Sequence, residues 1–404
     1  MRIDLISEHA SPLAAIGAAD SGGQNVHVAE LARALGERGH HITVYTRRDD
    51  EALPERVRLA QGVTVEHVRA GPARKLPKDT LLPHMAEFGD HLARRWLRQS
   101  PDVAHAHFWM SGLAAHRGAQ GLGVPVVQTF HALGTVKRRH HGEADPSPPP
   151  RIPLEAGLAR DAALIVATCS DEVRELAAMG VPTRRVAVVP CGVDLSRFTP
   201  RGRRARRTSR HRILFLGRLV RRKGVETIIR ALPEVPGAEL VIAGGGDAVG
   251  DAELARLTGI AGRCGVPGQI RFVGQIPRAG VPALLRSADV VVSVPWYEPF
   301  GMVPLEAMAC GVPVVASAVG GHLDTVLDGR TGALVPPRDP AALAQRLREL
   351  LADPGRLAVI GSAAALRARS RYGWARIARD TELLYCRVLA NLPLPPVALP
   401  GGGW

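Results

Sequence analysis

Aromatic residues make up only 4% of the 404-residue chain, which leaves little of the stacking platform that single-stranded nucleic-acid binders use. Nor is there a run of about 18 apolar residues, so no transmembrane helix is expected. Cysteine is scarce as well. The five present, Cys169, Cys191, Cys264, Cys310 and Cys386, include no Cys-x-x-Cys pair, which argues for a reducing compartment and against structural zinc. Lysine is the scarcest charged residue. Only Lys75, Lys78, Lys137 and Lys223 interrupt a basic set of 52 residues that is otherwise Arg, and a compact ammonium kept where Arg is the default marks each position for attention. The chain opens with Met1-Arg-Ile-Asp-Leu-Ile6, entering an apolar strand with no signal-peptide leader, so a cytoplasmic location is expected.

What is present fits a globular α/β protein. The length suits two domains of roughly 200 residues each, and 46% of the residues are hydrophobic. The formal charge of +14 invites a nucleic-acid reading. Seven of the arginines, however, lie between Arg201 and Arg212 among Pro, Gly, Ser and Thr, which reads as a solvated basic linker. No nucleic-acid partner is expected, and membrane association at most peripheral.

Strand and helix patterns alternate along the chain. Strands are expected at 2–7, 41–46, 63–68, 102–106, 124–130, 163–167 and 186–189. A helix with Val28, Leu31, Ala32 and Leu35 on its apolar face follows the loop Asp20-Ser21-Gly22-Gly23. Glycines there leave a ligand free to approach the helix start, although a flexible turn has the same composition. Further helices are expected over 80–99, 152–160 and Ser170–Ala178. Between them, 136–151 reads as a mobile, proline-rich loop. The strands near 102–106 and 124–130 deliver His105, His107 and His131 to one sheet edge. Three histidines raise metal binding as an alternative; the lack of a carboxylate cluster and of helical His-x3-His spacing speaks against it.

The second half repeats the pattern. The strand 211–216 runs into Gly217-Arg218-Leu-Val-Arg-Arg222-Lys223-Gly224, where Arg218 and Lys223 could converge on one diphosphate; an exposed basic turn is the plain alternative. After the strand 239–243, Gly244-Gly245-Gly246-Asp247 is the nearest approach to a dinucleotide fingerprint. It is weak, because no acidic residue stands between Glu253 and Asp289 to hold a ribose. Strands at 270–273, 289–294, 311–316 and 331–335 and helices at about 339–352, 354–369 and 374–389 complete the chain, with a flexible tail over 392–404. Between the strands 289–294 and 311–316 lies Glu298-Pro-Phe300-Gly301-Met302-Val303-Pro304-Leu-Glu306. It opens a helix at the carboxyl edge of the sheet, where open α/β sheets bind ligands and where helix N–H groups await an anion.

The two glutamates, eight residues apart within EPFGMVPLEAMACGVPVVAS, together with SGGQNVHVAELARAL, the turn at 217–224 and VVPCGVDLSRFTP, resemble a known family. It is the retaining family 4 glycosyltransferases of GT-B type, which includes sucrose-phosphate synthase and the mycothiol-pathway inositol-phosphate glycosyltransferase. The resemblance spans Met1 to about Leu389. It implies two Rossmann-like doubly wound domains facing across a cleft: residues 1–200 on the acceptor side, a linker at 201–211, and a donor domain at 212–373, with the helix 374–390 crossing back. The implied reaction moves a hexosyl-type sugar from a nucleotide sugar, UDP-linked by preference, to a small-molecule or glycan hydroxyl acceptor, with retention. Its implied catalytic residues are His131, Glu298, Arg218 and Lys223. Gly22, Gly23, Gln275, Ile276, Phe300, Gly301, Met302, Val303 and Glu306 join Arg218, Lys223 and Glu298 around the donor. Asn25, Lys78, Phe108 and Arg151 fall on acceptor positions. Phe108 and Ala132 stand where the inositol-phosphate enzyme has Tyr and Thr, so a phosphorylated acceptor is one option and not a requirement. No cofactor or metal is implied. A catalytically silent nucleotide-sugar-binding protein, and a basic nucleic-acid binder, are the competing readings.

Overall fold

The computed structural model describes residues 1–14, 22–207, 209–245 and 248–394, leaving aside the side chains of 248–250. It divides into two compact units, Met1–Cys191 with Trp374–Trp404, and Gly192–Gly373.

The first unit is built on eight strands: β1 (Arg2–Ile6), β2 (His41–Arg47), β3 (Arg56–Ala60), β4 (Val63–Val68), β5 (Val103–His107), β6 (Val126–Thr129), β7 (Leu164–Ala167) and β8 (Val186–Val188). Their order is β3-β4-β2-β1-β5-β6-β7-β8. Only β3 runs antiparallel, against β4. The parallel strands are short β-branched runs covered on both faces, as an all-parallel interior demands. Val28, Leu31 and Leu35 of the helix Gly23–Glu37 pack with Ile377, Leu384 and Tyr385 of the helix Trp374–Leu389 over Ile3, Leu5 and Val44.

The second unit holds β9 (His211–Leu216), β10 (Ala238–Ala243), β11 (Ile270–Gly274), β12 (Val290–Ser293), β13 (Val314–Ser317) and β14 (Gly332–Val335). They form a parallel sheet in the order β11-β10-β9-β12-β13-β14. Strand order reverses between β9 and β12, which makes the loops after those two strands the walls of a ligand crevice. Both units are Rossmann-like. Among the described residues no helix is long and apolar enough to cross a membrane.

Several expectations are corrected. The stretch 136–151 is not an irregular loop. A helix spans Gly134–His141, a 3₁₀ turn follows at Gly142–Ala144, and the next helix is Arg151–Asp161. The order comes from buried charge: Arg151 bonds Glu155 at 2.7 Å and the Ala132 carbonyl at 2.6 Å, while Lys137 meets Asp145 at 3.0 Å. Arg201, Arg203, Arg204 and Arg206 are exposed, as a solvated basic stretch should be, but the segment is not a free linker. The Ala205 N–H donates to the Ala283 carbonyl at 2.9 Å, and Arg207 pairs with Asp289 at 2.6 Å, so the chain is stitched to its own unit. Helix 80–99 begins only at Met85, after 3₁₀ turns at Lys78–Thr80 and Leu82–His84; Pro83 lacks the N–H that an earlier start would use. The strand Arg56–Ala60 and the helix Trp109–Ala119 add to the expected elements. Chain division falls after Cys191, earlier than residue 200. Ser21, Gly246, Asp247 and most of the tail lie outside the described residues.

Candidate active site

In the second unit, the turn after β9 and the loop after β12 come together at the switch point. Gly224, at φ 73°, sits where any Cβ would overlap the Val294 carbonyl oxygen, so the turn can press against the start of the β12 loop only as glycine. The Trp296 N–H then donates to the Arg222 carbonyl at 2.9 Å. Those backbone contacts set the Lys223 ammonium on the Glu298 carboxylate. Burial opposes the ionisation of Glu298, but Lys223, Arg222 and His322 outweigh it and hold its carboxyl down to about 2. Burial also lowers Lys223 and Arg222, with Glu298 acting against it. Arg218 is exposed on the same turn.

Below this pair, Gly301 in the left-handed region (φ 88°) starts the helix Met302–Ala309, whose first N–H groups have no intrahelical acceptor. Phe300 is buried, its ring edge-on to Tyr372 at 6.3 Å. The loop's floor is the turn at 320–322: the Gly321 N–H donates to the Glu298 carbonyl at 3.0 Å, and the His322 ring lies where a Cβ on Gly301 would fall. Glu306 is buried and takes Arg278 Nη1 at 2.5 Å; burial raises its carboxyl, against the pull of Arg278. Gln275 is exposed and Ile276 half-buried just past β11.

In the first unit, β5 and β6 end side by side. Phe108 (φ 84°) directly follows β5 and His131 (φ 60°) lies two residues past β6, both in the left-handed region that non-glycine residues seldom occupy and that clusters at functional sites. His107 Nδ1 lies 3.0 Å from His131 Nε2, with the rings stacked. From the helix Gly23–Glu37 comes His27, its ring centroid 5.0 Å from that of His131 and its Nδ1 3.3 Å from Cys191 Sγ. His105 is part of the same stack but is fully engaged, by Tyr385 Oη at 2.6 Å and Thr129 Oγ1 at 2.9 Å. Burial lowers His27 to about 4 and His105 to about 3, and holds His107 and His131 well below the ordinary 6.5. All four imidazoles are therefore neutral at physiological pH.

Gly22 caps that helix with open space beside it, and Gly23 is exposed. Asn25, by contrast, is buried and committed: its Oδ1 accepts from the Gly22 N–H and its Nδ2 donates to the Ser11 carbonyl, each at 3.0 Å. Lys78, Phe108 and Arg151 are joined in one polar chain. Lys78 meets Asp79 at 3.2 Å; Asp79 and Asp145 both face Lys137; Lys137 and Arg151 share Ser147 Oγ at 2.8 and 3.0 Å. The Arg151 guanidinium lies 5.1 Å from the Phe108 ring centroid.

Two family models match the chain: Glycosyltransferase Family 4 over residues 21–197, and Glycosyl transferases group 1 over residues 197–367. D-inositol 3-phosphate glycosyltransferase 2 of Catenulispora acidiphila is 37% identical, over 97% of this chain and 96% of its own length. The chain belongs to the family 4 glycosyltransferases. D-inositol 3-phosphate glycosyltransferase of Xylanimonas cellulosilytica is 36% identical, over 97% of this chain and 98% of its own. Among solved structures, sucrose-phosphate synthase from Thermosynechococcus elongatus superimposes with a TM-score of 0.89 at 30% identity, covering 97% of this chain and 100% of that one.

In this glycosyltransferase the residues missed by sequence reasoning are those that act across elements. Arg222, His322 and Arg278 converge on the two glutamates. His27 completes the histidine stack, and Asp79, Asp145 and Glu155 balance Lys78, Lys137 and Arg151. Only Arg222 carried a signal, sitting beside Lys223.

Proposed function

We propose that this glycosyltransferase moves a hexosyl group, with retention, from a UDP-sugar to a small hydroxyl-bearing acceptor. The observation that carries the reading is the Lys223–Glu298 pair beside the open start of Met302–Ala309. Breaking a glycosidic bond to a diphosphate leaves growing negative charge on the leaving group. Arg218, Lys223 and the N–H groups of Gly301, Met302 and Val303 supply fixed positive charge for it, in a site where little reorganisation is needed. Glu298, held ionised, accepts hydrogen bonds from sugar hydroxyls, and Glu306 does the same for the ribose diol, with Gln275 and Ile276 at the base. His131, kept neutral by burial, serves the donor sugar as a hydrogen-bonding imidazole.

The state of the two carboxylates bears on how retention is reached, speaking against a covalent glycosyl-enzyme. Each is already bonded to a cation, Lys223 or Arg278, which makes it a poor nucleophile. A front-face transfer, in which the departing phosphate takes the acceptor proton, needs no protein nucleophile. Lys78 and Arg151, with Phe108 over the guanidinium, receive the acceptor, and Asn25 shapes its floor.

A thermal-shift panel with UDP, GDP, ADP and NAD at equal concentration tests the donor half. A nucleotide binding only the folded state at about 100 times its dissociation constant adds about 2.7 kcal/mol. UDP is expected to raise the melting temperature, and Glu306→Ala to abolish the shift. A panel with no shift overturns the donor assignment, and binding without transfer to any acceptor converts the protein into a silent nucleotide-sugar binder.

A further inference from the structure

The histidine stack has more capacity than the transfer reaction uses. His27, His107 and His131 each offer a ring nitrogen, and the three atoms lie within 4.8 Å of one another. Four-coordinate zinc at about 2.0–2.1 Å from each nitrogen sets ligand nitrogens roughly 3.3 Å apart; the His107–His131 contact, at 3.0 Å, already has that spacing. Two neutral imidazoles facing nitrogen to nitrogen share one proton; a cation takes its place when that proton shifts to the other nitrogen of the same ring, leaving a lone pair on each facing nitrogen. We infer that His27, His107 and His131 form an open three-imidazole site for a zinc-class divalent cation, and that its occupancy removes His131 from glycosyl transfer.

Three observations support this. First, His105 lies in the same stack yet is excluded as a ligand because Tyr385 and Thr129 hold both its nitrogens; among the four rings, the trio is what remains. Second, His27 Nδ1 rests against Cys191 Sγ, the kind of outer contact that fixes the orientation of a metal-bound imidazole. Third, His107 Nε2 is buried with no hydrogen-bond partner. Nε2 is therefore available to carry the ring's proton while Nδ1 turns its lone pair towards the ion. His131 is half-buried and gives the ion a way in. The ligand set is all imidazole, which suits Zn²⁺, Co²⁺, Ni²⁺ or Cu²⁺ and not the oxygen-seeking Mg²⁺ or Ca²⁺.

The gating half of the inference rests on the proposed transfer reaction; the binding half does not. Purified full-length protein titrated anaerobically with Co²⁺ reports the site directly. One equivalent is expected to give the intense visible d–d bands of a four-coordinate centre, bleached by Zn²⁺. His27→Gln and His107→Gln, each checked for folding by circular dichroism, should weaken binding at least about tenfold. The double variant His140→Gln/His141→Gln, on a separate histidine pair, should bind as wild type. No bands, or bands unchanged in both His27→Gln and His107→Gln, overturn the site. If Co²⁺ binds, sugar transfer from UDP-glucose should fall as Zn²⁺ is added and return with a chelator. Transfer indifferent to Zn²⁺ at full occupancy overturns the gating and leaves the site standing. Absence of transfer in the metal-free enzyme counts against the proposed function, while the cobalt titration still decides the site.

Discussion

The Lys223 ammonium and the Glu298 carboxylate, 75 residues apart in sequence, form one ion pair between the loop after β9 and the loop after β12. The pair fixes two side chains that would otherwise be free in a crevice, and it keeps both charged. Replacing Glu298 by Gln should therefore leave a half-buried ammonium without its counter-charge. The expected cost is about 1–3 kcal/mol by urea unfolding, with a larger proportional loss in kcat than in donor affinity. Unchanged stability and kcat would remove the pair from the account.

The same pair has a pH signature. Glu298 titrates at about 2 in the folded chain against an ordinary 4.5. A carboxyl lowered by folding stabilises the protein above the unfolded value and loses that contribution as pH falls towards the folded one. Stability should thus drop between about pH 4.5 and 2, and Glu298→Gln should flatten this part of the profile.

The histidine stack acts at higher pH. His27 and His105 are lowered to about 4 and about 3 from an ordinary 6.5, so the unfolded chain binds more protons below pH 6.5. Their contribution is complete above that value and is lost as pH falls from 6.5 to about 4 for His27 and to about 3 for His105, at about 1.4 kcal/mol per pH unit for each group. His105→Gln should make the fall between pH 6 and 4.5 shallower in thermal unfolding. A profile as steep as wild type would contradict the burial of a neutral ring.

On the acceptor side, Lys78→Ala should raise the acceptor KM and leave donor binding intact. A charged hydrogen bond to an anionic acceptor is worth about 1.5–3 kcal/mol, or roughly 10- to 150-fold in KM. Equal acceptor kinetics in wild type and variant would take Lys78 out of the acceptor site.

Gly244 tests the fold. At φ 148° its Cβ would overlap the Gly217 carbonyl oxygen, where β9 and β10 end together. Gly244→Ala should cost more than about 2 kcal/mol, through strain and displacement of the turn that carries Arg218. Chemical denaturation measures it, and wild-type stability would show that the turn can yield.

Much of this was legible in the sequence where local pattern is decisive. Short β-branched runs mark the central strands, and the stretch between the strands 289–294 and 311–316 locates the start of the helix Met302–Ala309. The stretch 136–151 reads as a loop because its Pro and polar content resembles a solvated one. Its order depends on Glu155 and Ala132, which hold Arg151 from outside it. Likewise Arg207 reads as solvated until Asp289 is placed beside it, and the backbone at Ala205 reads as free until the Ala283 carbonyl is.

By itself, then, the sequence determined which segments form a parallel sheet, which loops lie at its carboxyl edge, and which cations and carboxylates those loops carry, because side-chain period and glycine placement are local properties of the chain. Only the tertiary structure decided who meets whom. It set Lys223 on Glu298 and Arg278 on Glu306, and it brought His27 in from a helix to His107 and His131 while Tyr385 claimed His105. Strand order makes those meetings, and neighbours in a sheet are chosen by packing over the whole unit, not by distance along the chain.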